Sequence, residues 1–269
     1  EDYLEIELNA SGSINLSSNN TELDLEDDNL IIKTANILRS YYPHRNLGAN
    51  IFLNKNIPIG AGLAGGSSNA AATLIGLNKL WALNLDQPTL ERFALKLGSD
   101  VPFFLEGGSQ YCFGRGEVLE KYKFDSKFFL IILKNPKVSL STSDVYKKYS
   151  DKFQKIYLSS EREFEDKRDN LRSKDFTHDN FLKRGIKIRN DLQKIVQNEN
   201  NSVSDALNLF SEIEECICFS MSGSGPSCYG LFDSYEIAKK VHEKNKNLFL
   251  SFGYKSWLCE FQSKGIKIS

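Results

Sequence analysis

The sequence predicts an α+β protein of two lobes, and three observations predict it. At 269 residues the chain is long enough for two cores. Strand-like alternation and helix-like spacing succeed one another along most of its length. Two glycine-rich loops, Pro58–Ser68 and Ser222–Pro226, lie in different halves. A boundary just before the apolar run that opens at Phe128 gives lobes of residues 1–127 and 128–269, with both loops expected to face one cleft.

Along the first lobe, Leu4, Ile6 and Leu8 alternate with Glu5 and Glu7, a strand with one wet face. Gly12 turns the chain, and Ile14 and Leu16 resume the alternation. Asp27-Asp28-Asn29 caps a helix whose inner face is Ile31, Ala35, Leu38 and Tyr42. Ala49 to Asn56 forms a strand that delivers the chain to the first glycine loop. Past that loop, Leu74, Leu77, Leu80 and Trp81 mark one face of a helix, with Ser67, Ser68 and Asn69 as its expected caps. Thr89 to Lys96 is a further helix, closed by Gly98 as a C′ glycine. Gln110 to Phe113 is a short strand, and Gly114-Arg115-Gly116-Glu117 a tight charged turn.

In the second lobe, Phe128 to Leu133 is a continuously apolar strand, expected to be buried on both faces. Thr142-Ser143-Asp144 opens a helix that carries Tyr146. Residues 150–185 are dominated by charge, a solvated face to which no function is given. Two amphipathic helices follow, one around Ile188–Val196 and one around Ala206–Ile213. Cys216–Met221, Tyr229–Phe232 and Ser256–Phe261 read as strands, with a helix from Tyr235 to Lys246. That alternation suits a ferredoxin-like arrangement.

Composition excludes several classes. A net charge of −1 gives no electrostatic case for nucleic acid or membrane, and no apolar run reaches the length of a span. Five cysteines without a C-x-x-C pair indicate reduced thiols in a cytoplasmic protein. His44, His178 and His242 are scattered surface residues, so no protein-built metal site is expected.

The chemistry concentrates in Pro58–Gly66, where Gly60, Gly62, Gly65 and Gly66 fall within nine residues. Glycine tolerates φ > 0 and leaves the backbone N–H groups open, and at Gly65 both properties are expected to matter. Such a loop feeding a helix N-terminus is an anion site, because free donors converge with the positive end of the helix dipole. A Walker loop needs Gly-Lys-Ser/Thr, which Gly65-Gly66-Ser67 does not supply. Gly60-Ala61-Gly62-Leu63-Ala64-Gly65 matches G-x-G-x-x-G, but Pro58 stands where a central strand should run. The helix is followed by more helix, so no second strand carries the ribose-binding acid of a dinucleotide site.

The segment Pro58-Ile59-Gly60-Ala61-Gly62-Leu63-Ala64-Gly65-Gly66-Ser67-Ser68 resembles the phosphate loop of the GHMP kinases. Leu97-Gly98-Ser99-Asp100-Val101-Pro102-Phe103-Phe104, Gly114-Arg115-Gly116-Glu117, Asn190-Asp191-Leu192 and Met221–Pro226 extend the resemblance over nearly the whole chain. Within the family these segments are most similar to the branch acting on a cytidine diphosphate-linked methylerythritol, on the non-mevalonate route to isoprenoid precursors.

The resemblance implies an ATP-binding first lobe and ATP-dependent phosphorylation of a hydroxyl of that small molecule. ATP would lie on Pro58–Ser68, with Asn29 and Lys55 lining the adenine pocket. Mg²⁺ would come with it, bound mainly by phosphate and water. Asp100 aligns with the family's base, although the residue alone reads equally as a helix-end turn aspartate. Thr142, Tyr146, Gly223, Ser224 and Gly225 would hold the substrate, Tyr146 by packing on its nucleobase. Ordinary packing explains Tyr146 equally well on spacing alone. The family's P-A-K-I/L-N-L strand and D-G-Y/F-H segment, which carry a lysine and the cytosine-holding pair, are absent from Glu1–Thr21. With Glu1 opening directly into a strand, a longer complete protein is expected. A homoserine- or mevalonate-type kinase and a non-catalytic nucleotide-binding protein stay open beside the main reading.

Overall fold

The computed structural model describes residues 1–124, 128–174 and 188–269. Lys127, where the sequence puts the lobe boundary, and His178 lie outside them. The chain forms two compact units. The first comprises Glu1–Ile59, Ala64–Lys123 and Gln262–Ser269; the second comprises Gly60–Leu63 and Phe124–Phe261. The first glycine loop is thus divided, its Gly60–Leu63 segment packing with the second unit.

In the first unit, β1 (Tyr3–Leu8) and β2 (Ile14–Ser18) flank β3 (Ala49–Asn54). β1 pairs antiparallel and β2 parallel, with Leu4 opposite Leu53 and Leu16 opposite Ile51. Alternation along β3 buries Ala49, Ile51 and Leu53. They pack against α1 (Leu30–Ser40), α2 (Gly65–Leu80) and α3 (Gln87–Leu97), which contribute Leu38, Leu74, Leu77 and Phe93 to one core. Truncating a buried leucine of this kind costs roughly 2–5 kcal/mol. A short helix, α4 (Val101–Glu106), and a hairpin of β4 (Gln110–Phe113) with β5 (Val118–Lys121) follow.

The second unit carries β6 (Phe129–Lys134), β7 (Cys218–Met221), β8 (Cys228–Phe232) and β9 (Lys255–Glu260) in the order β7-β8-β6-β9. All its pairings are antiparallel. The apolar β6 lies between β8 and β9, with Ile131 and Leu133 buried but Phe129, Leu130 and Ile132 half-buried, so burial on both faces is met only in part. Helices α5 (Thr142–Phe153), α7 (Gln193–Glu199), α8 (Asn201–Ser211) and α9 (Tyr235–Ser251) belong to this unit, and their Val145, Val196, Phe210 and Phe249 join its core. The charged α6 (Glu161–Arg172) buries no residue and starts with a Ser160–Glu163 capping box, as a solvated helix should. Among the described residues no helix is long and apolar enough to cross a membrane.

Candidate nucleotide and substrate site

The first loop is shaped by residues that have no room for side chains. Gly60 and Gly62 take φ of +57° and +68°. A Cβ on Gly60 would stand 2.2 Å from Ser139 Oγ, and one on Gly62 would stand 2.4 Å from the carbonyl oxygen of Ser222. Ala64 precedes α2 at φ 50°, ψ 29°, a left-handed conformation that costs a non-glycine residue about 1–3 kcal/mol. It gives α2 no side-chain cap. A helix start without such a cap leaves its first N–H groups to water or a ligand, and an anion suits them.

Two expectations are corrected here. Helix α2 starts at Gly65, not after the serines, and Ser68 Oγ donates back to the Gly65 carbonyl at 2.9 Å. Positive φ falls on Ala64 and not on Gly65. What forbids a side chain at Gly65 is crowding: a Cβ there would lie 2.8 Å from Lys55 Nζ and 2.9 Å from Ile57 Cγ2.

The second loop is held from several sides within its unit. Ser222 Oγ donates to the Gly62 carbonyl at 2.8 Å, and the Ser227 N–H donates to Ala61 at 3.3 Å. Asn190 Nδ2 donates to the carbonyls of Met221 and Gly223, both at 2.8 Å. Thr142 and Ser224 share a hydroxyl–hydroxyl hydrogen bond of 2.9 Å. Gly223 and Gly225 have φ of +52° and +80°, and the Gly225–Pro226 peptide is cis. Helix α5 starts at Thr142 because Ser141 Oγ caps it through the Asp144 N–H, which places Tyr146 one turn further on.

A cleft of about 560 Å³ lies beside this loop, lined by Tyr146, Tyr149, Asn190, Gly223 and Tyr229. Tyr146 is 59% exposed. Burial lifts the pKa of the Tyr149 phenol, with Asp191 adding to it, and pushes that of Tyr229 up to about 12. Both therefore present neutral hydroxyls at physiological pH. Sequence reasoning read Asn190 as an early helix cap and placed neither it nor Ser222 in the site, although the two tie this loop down. The available signal was their place in Asn190-Asp191-Leu192 and Met221–Pro226.

In the first unit Asp100 stands between α3 and α4. Gly98 ends α3 at φ 167°, an extended conformation, so no left-handed glycine cap forms. The run after Asp100 is α4, with Asp100 at its N-cap and Pro102 in its first turn, where proline is tolerated. Asp100 makes no capping hydrogen bond, and its carboxylate accepts none from any described residue. It is exposed rather than buried. Gly116 approaches it, since a Cβ there would lie 3.6 Å from Asp100 Oδ1. Cys112 is also near: burial and then the Asp100 charge raise its thiol pKa. The turn at Arg115 is closed by Glu117, whose carboxylate accepts from the Arg115 N–H at 2.6 Å. Its own backbone N–H and that of Arg115 hold Glu117 below the usual carboxylate range.

Asn29 caps α1, its Oδ1 accepting from the Ile31 N–H at 2.9 Å while Nδ2 donates to the Asp24 carbonyl at 2.6 Å. Lys55 is buried and ion-paired to Asp2. Among the described residues no group of three or more His, Cys, Asp or Glu could hold a metal ion.

Comparison with known proteins makes the chain a small-molecule kinase. The GHMP kinases N terminal domain matches residues 29–108, and the GHMP kinases C terminal domain matches residues 178–249. The chain is 56% identical over 265 residues to the 4-diphosphocytidyl-2-C-methyl-D-erythritol kinase of Prochlorococcus marinus (strain AS9601), covering 98% of this chain and 85% of that one. It therefore belongs to the 4-diphosphocytidyl-2-C-methyl-D-erythritol kinase family of the GHMP kinases. Among solved structures it resembles a 4-(cytidine 5'-diphospho)-2C-methyl-D-erythritol kinase, with a TM-score of 0.68 at 23% identity over 96% of this chain and 85% of the other. The homoserine kinase of Cytophaga hutchinsonii matches with the same TM-score of 0.68 at 17% identity, over 98% and 87%. At those identities the structures speak for the fold alone.

Proposed function

We propose that this protein transfers the γ-phosphoryl group of ATP to a hydroxyl of 4-diphosphocytidyl-2-C-methyl-D-erythritol, in the cytoplasm. The observation that carries the substrate is 56% identity across 98% of the chain to a kinase named for that alcohol. In phosphoryl transfer the protein contributes alignment, charge neutralisation and a proton acceptor. The Pro58–Ser68 backbone fits a triphosphate: glycines keep Cβ atoms out of it, and α2 starts there without a side-chain cap. Lys55 lies beside Gly65 of that loop, and Asn29, at the N-cap of α1, would line the adenine pocket with it. Thr142, Tyr146 and the Gly223–Gly225 loop receive the cytidyl substrate, the Tyr146 ring offering a face to the base.

Asp100 takes the proton. The hydroxyl oxygen forms its bond to the γ-phosphorus as its O–H proton passes to the Asp100 carboxylate, and the bond to the β-phosphate oxygen breaks to release ADP. A carboxylate with no capping bond to surrender is free for that task. Mg²⁺ accompanying the nucleotide would neutralise phosphate charge, held chiefly by phosphate and water.

The test is ADP release with ATP, Mg²⁺ and each of three alcohols: the cytidyl-methylerythritol, homoserine and mevalonate. Turnover of the first alone supports the reading. Preference for either of the others moves the protein to another GHMP branch, and ATP binding without turnover of any makes it a nucleotide-binding protein.

A further inference from the structure

Behind the first glycine loop lies an ion pair that the chemistry above does not use. The Lys55 and Asp2 side chains are only 4% and 3% exposed, and the ammonium bonds Asp2 Oδ2. The other carboxylate oxygen, Asp2 Oδ1, accepts from the Asn56 and Ile57 N–H groups, each at 2.7 Å. Both donors belong to the limb that enters the loop. Lys55 meanwhile reaches the limb that leaves it, since a Cβ on Gly65 would lie 2.8 Å from Nζ. One carboxylate therefore bonds the entering limb directly and holds the ammonium packed against the leaving limb.

Charge supplies a second reason for the pair. An ammonium beside the first residue of α2 faces the positive end of a helix dipole and is unfavourable there alone. A buried cation without a partner carries a large desolvation penalty as well. Asp2 offsets both costs and so keeps Lys55 against Gly65. Next to Gly65 is Ala64, held in a left-handed conformation it would not choose alone. The pair stands where a brace for that conformation is needed.

We propose that Asp2, acting through Lys55 and the Asn56 and Ile57 amides, is a positioning residue that sets the shape of the Pro58–Ser68 loop and with it the affinity for nucleoside triphosphate. Asp2 is not a ligand, since a buried carboxylate would repel phosphate. This inference rests on the reading of that loop as the nucleotide site.

The experiment measures binding of a non-hydrolysable ATP analogue by titration calorimetry, together with steady-state kinetics, on Asp2→Asn, Lys55→Met and the double variant. The expected result for Asp2→Asn is a rise of about tenfold in analogue Kd and in KM for ATP, the scale of a displaced but intact site. Turnover number and KM for the alcohol should stay within about twofold. The double variant removes both buried charges, so it should fold at least as well as either single variant and still bind the analogue weakly. Should Asp2→Asn fail to fold, the double variant is read against Lys55→Met, and analogue binding weaker in the double than in that single variant supplies the same reading. Wild-type Kd in a folded Asp2→Asn or double variant overturns the inference while leaving the nucleotide site standing. A wild-type protein that binds no analogue overturns both.

Discussion

The Ser222 hydroxyl donates to the Gly62 carbonyl at 2.8 Å, joining two glycine loops 160 positions apart in the chain. The contact leaves no spare space. A Cβ on Gly62 would meet the Ser222 and Gly225 carbonyl oxygens at 2.4 and 2.7 Å, and φ is +68° as well. Gly62→Ala is therefore expected to force the loops apart and raise KM for ATP at least tenfold, on the scale of overpacking at about 1–3 kcal/mol. Ser222→Ala removes only the hydrogen bond, worth about 1 kcal/mol, and should raise KM about fivefold with a small loss of thermal stability. Kinetics of the two variants side by side check the order; equal effects would mean that the hydroxyl and not the glycine is what matters.

Tyr146 is 59% exposed on α5 and lines the cleft beside the second loop, so its truncation should scarcely move the melting temperature. Base–aromatic stacking is worth roughly 1–3 kcal/mol by alanine substitution. Tyr146→Ala is accordingly expected to raise KM for the cytidyl substrate about tenfold, leave KM for ATP unchanged and be rescued by phenylalanine. A Tyr146→Ala enzyme with unaltered substrate KM would remove the ring from the binding site.

What the sequence exposes and what it hides follow from range. The alternation of Ala49, Ile51 and Leu53 was legible because strand burial has a period of two residues. The first glycine loop was legible because four glycines in nine residues have few other uses. Helix α4 was not, since six residues opening on Val101-Pro102 carry too little periodicity to separate a helix from an apolar run. The left-handed residue at the loop exit was assigned to Gly65 by propensity, and tertiary packing put it on Ala64. Asp2 with Lys55 and Ser222 with Gly62 are pairs far apart in sequence. No local pattern announces them.

The thiols give an independent check on the neighbourhood of Asp100. Cys218 and Cys228 are buried, with pKa values pushed by that burial to about 11 and about 12, so at pH 8 only roughly a thousandth or less of either is thiolate. Cys112 is exposed and should react first with a thiol reagent. Partial desolvation of its sulfur by surrounding atoms and then the Asp100 charge raise its pKa, so removing that charge lowers it. Labelling of Cys112 at pH 8 should therefore quicken in Asp100→Asn and slow in both proteins as the pH falls. Identical labelling rates in wild type and variant would separate the two side chains.

Asp100→Asn also decides the chemistry. The substitution keeps the volume and removes the negative charge together with the capacity to accept a proton. As the base, Asp100 should be worth roughly two to four orders of magnitude in kcat. Nucleotide and alcohol binding should change little, since on the proposed reading the backbone of the two loops and Tyr146 would hold them. The competing role, a helix-end cap, predicts the opposite pair of results: a loss of about 1 kcal/mol of stability with turnover retained. The structure already weighs against that role, because Asp100 occupies the N-cap of α4 without making the side-chain bond that defines a cap. What remains for it structurally is its charge at the helix start, worth about 0.3–1 kcal/mol when exposed. Steady-state turnover and a melting curve on the same preparation therefore separate the roles. A protein that melts within a few degrees of wild type with kcat reduced at least a hundredfold identifies Asp100 as the proton acceptor, and near-normal kcat in a destabilised protein assigns it to the helix end.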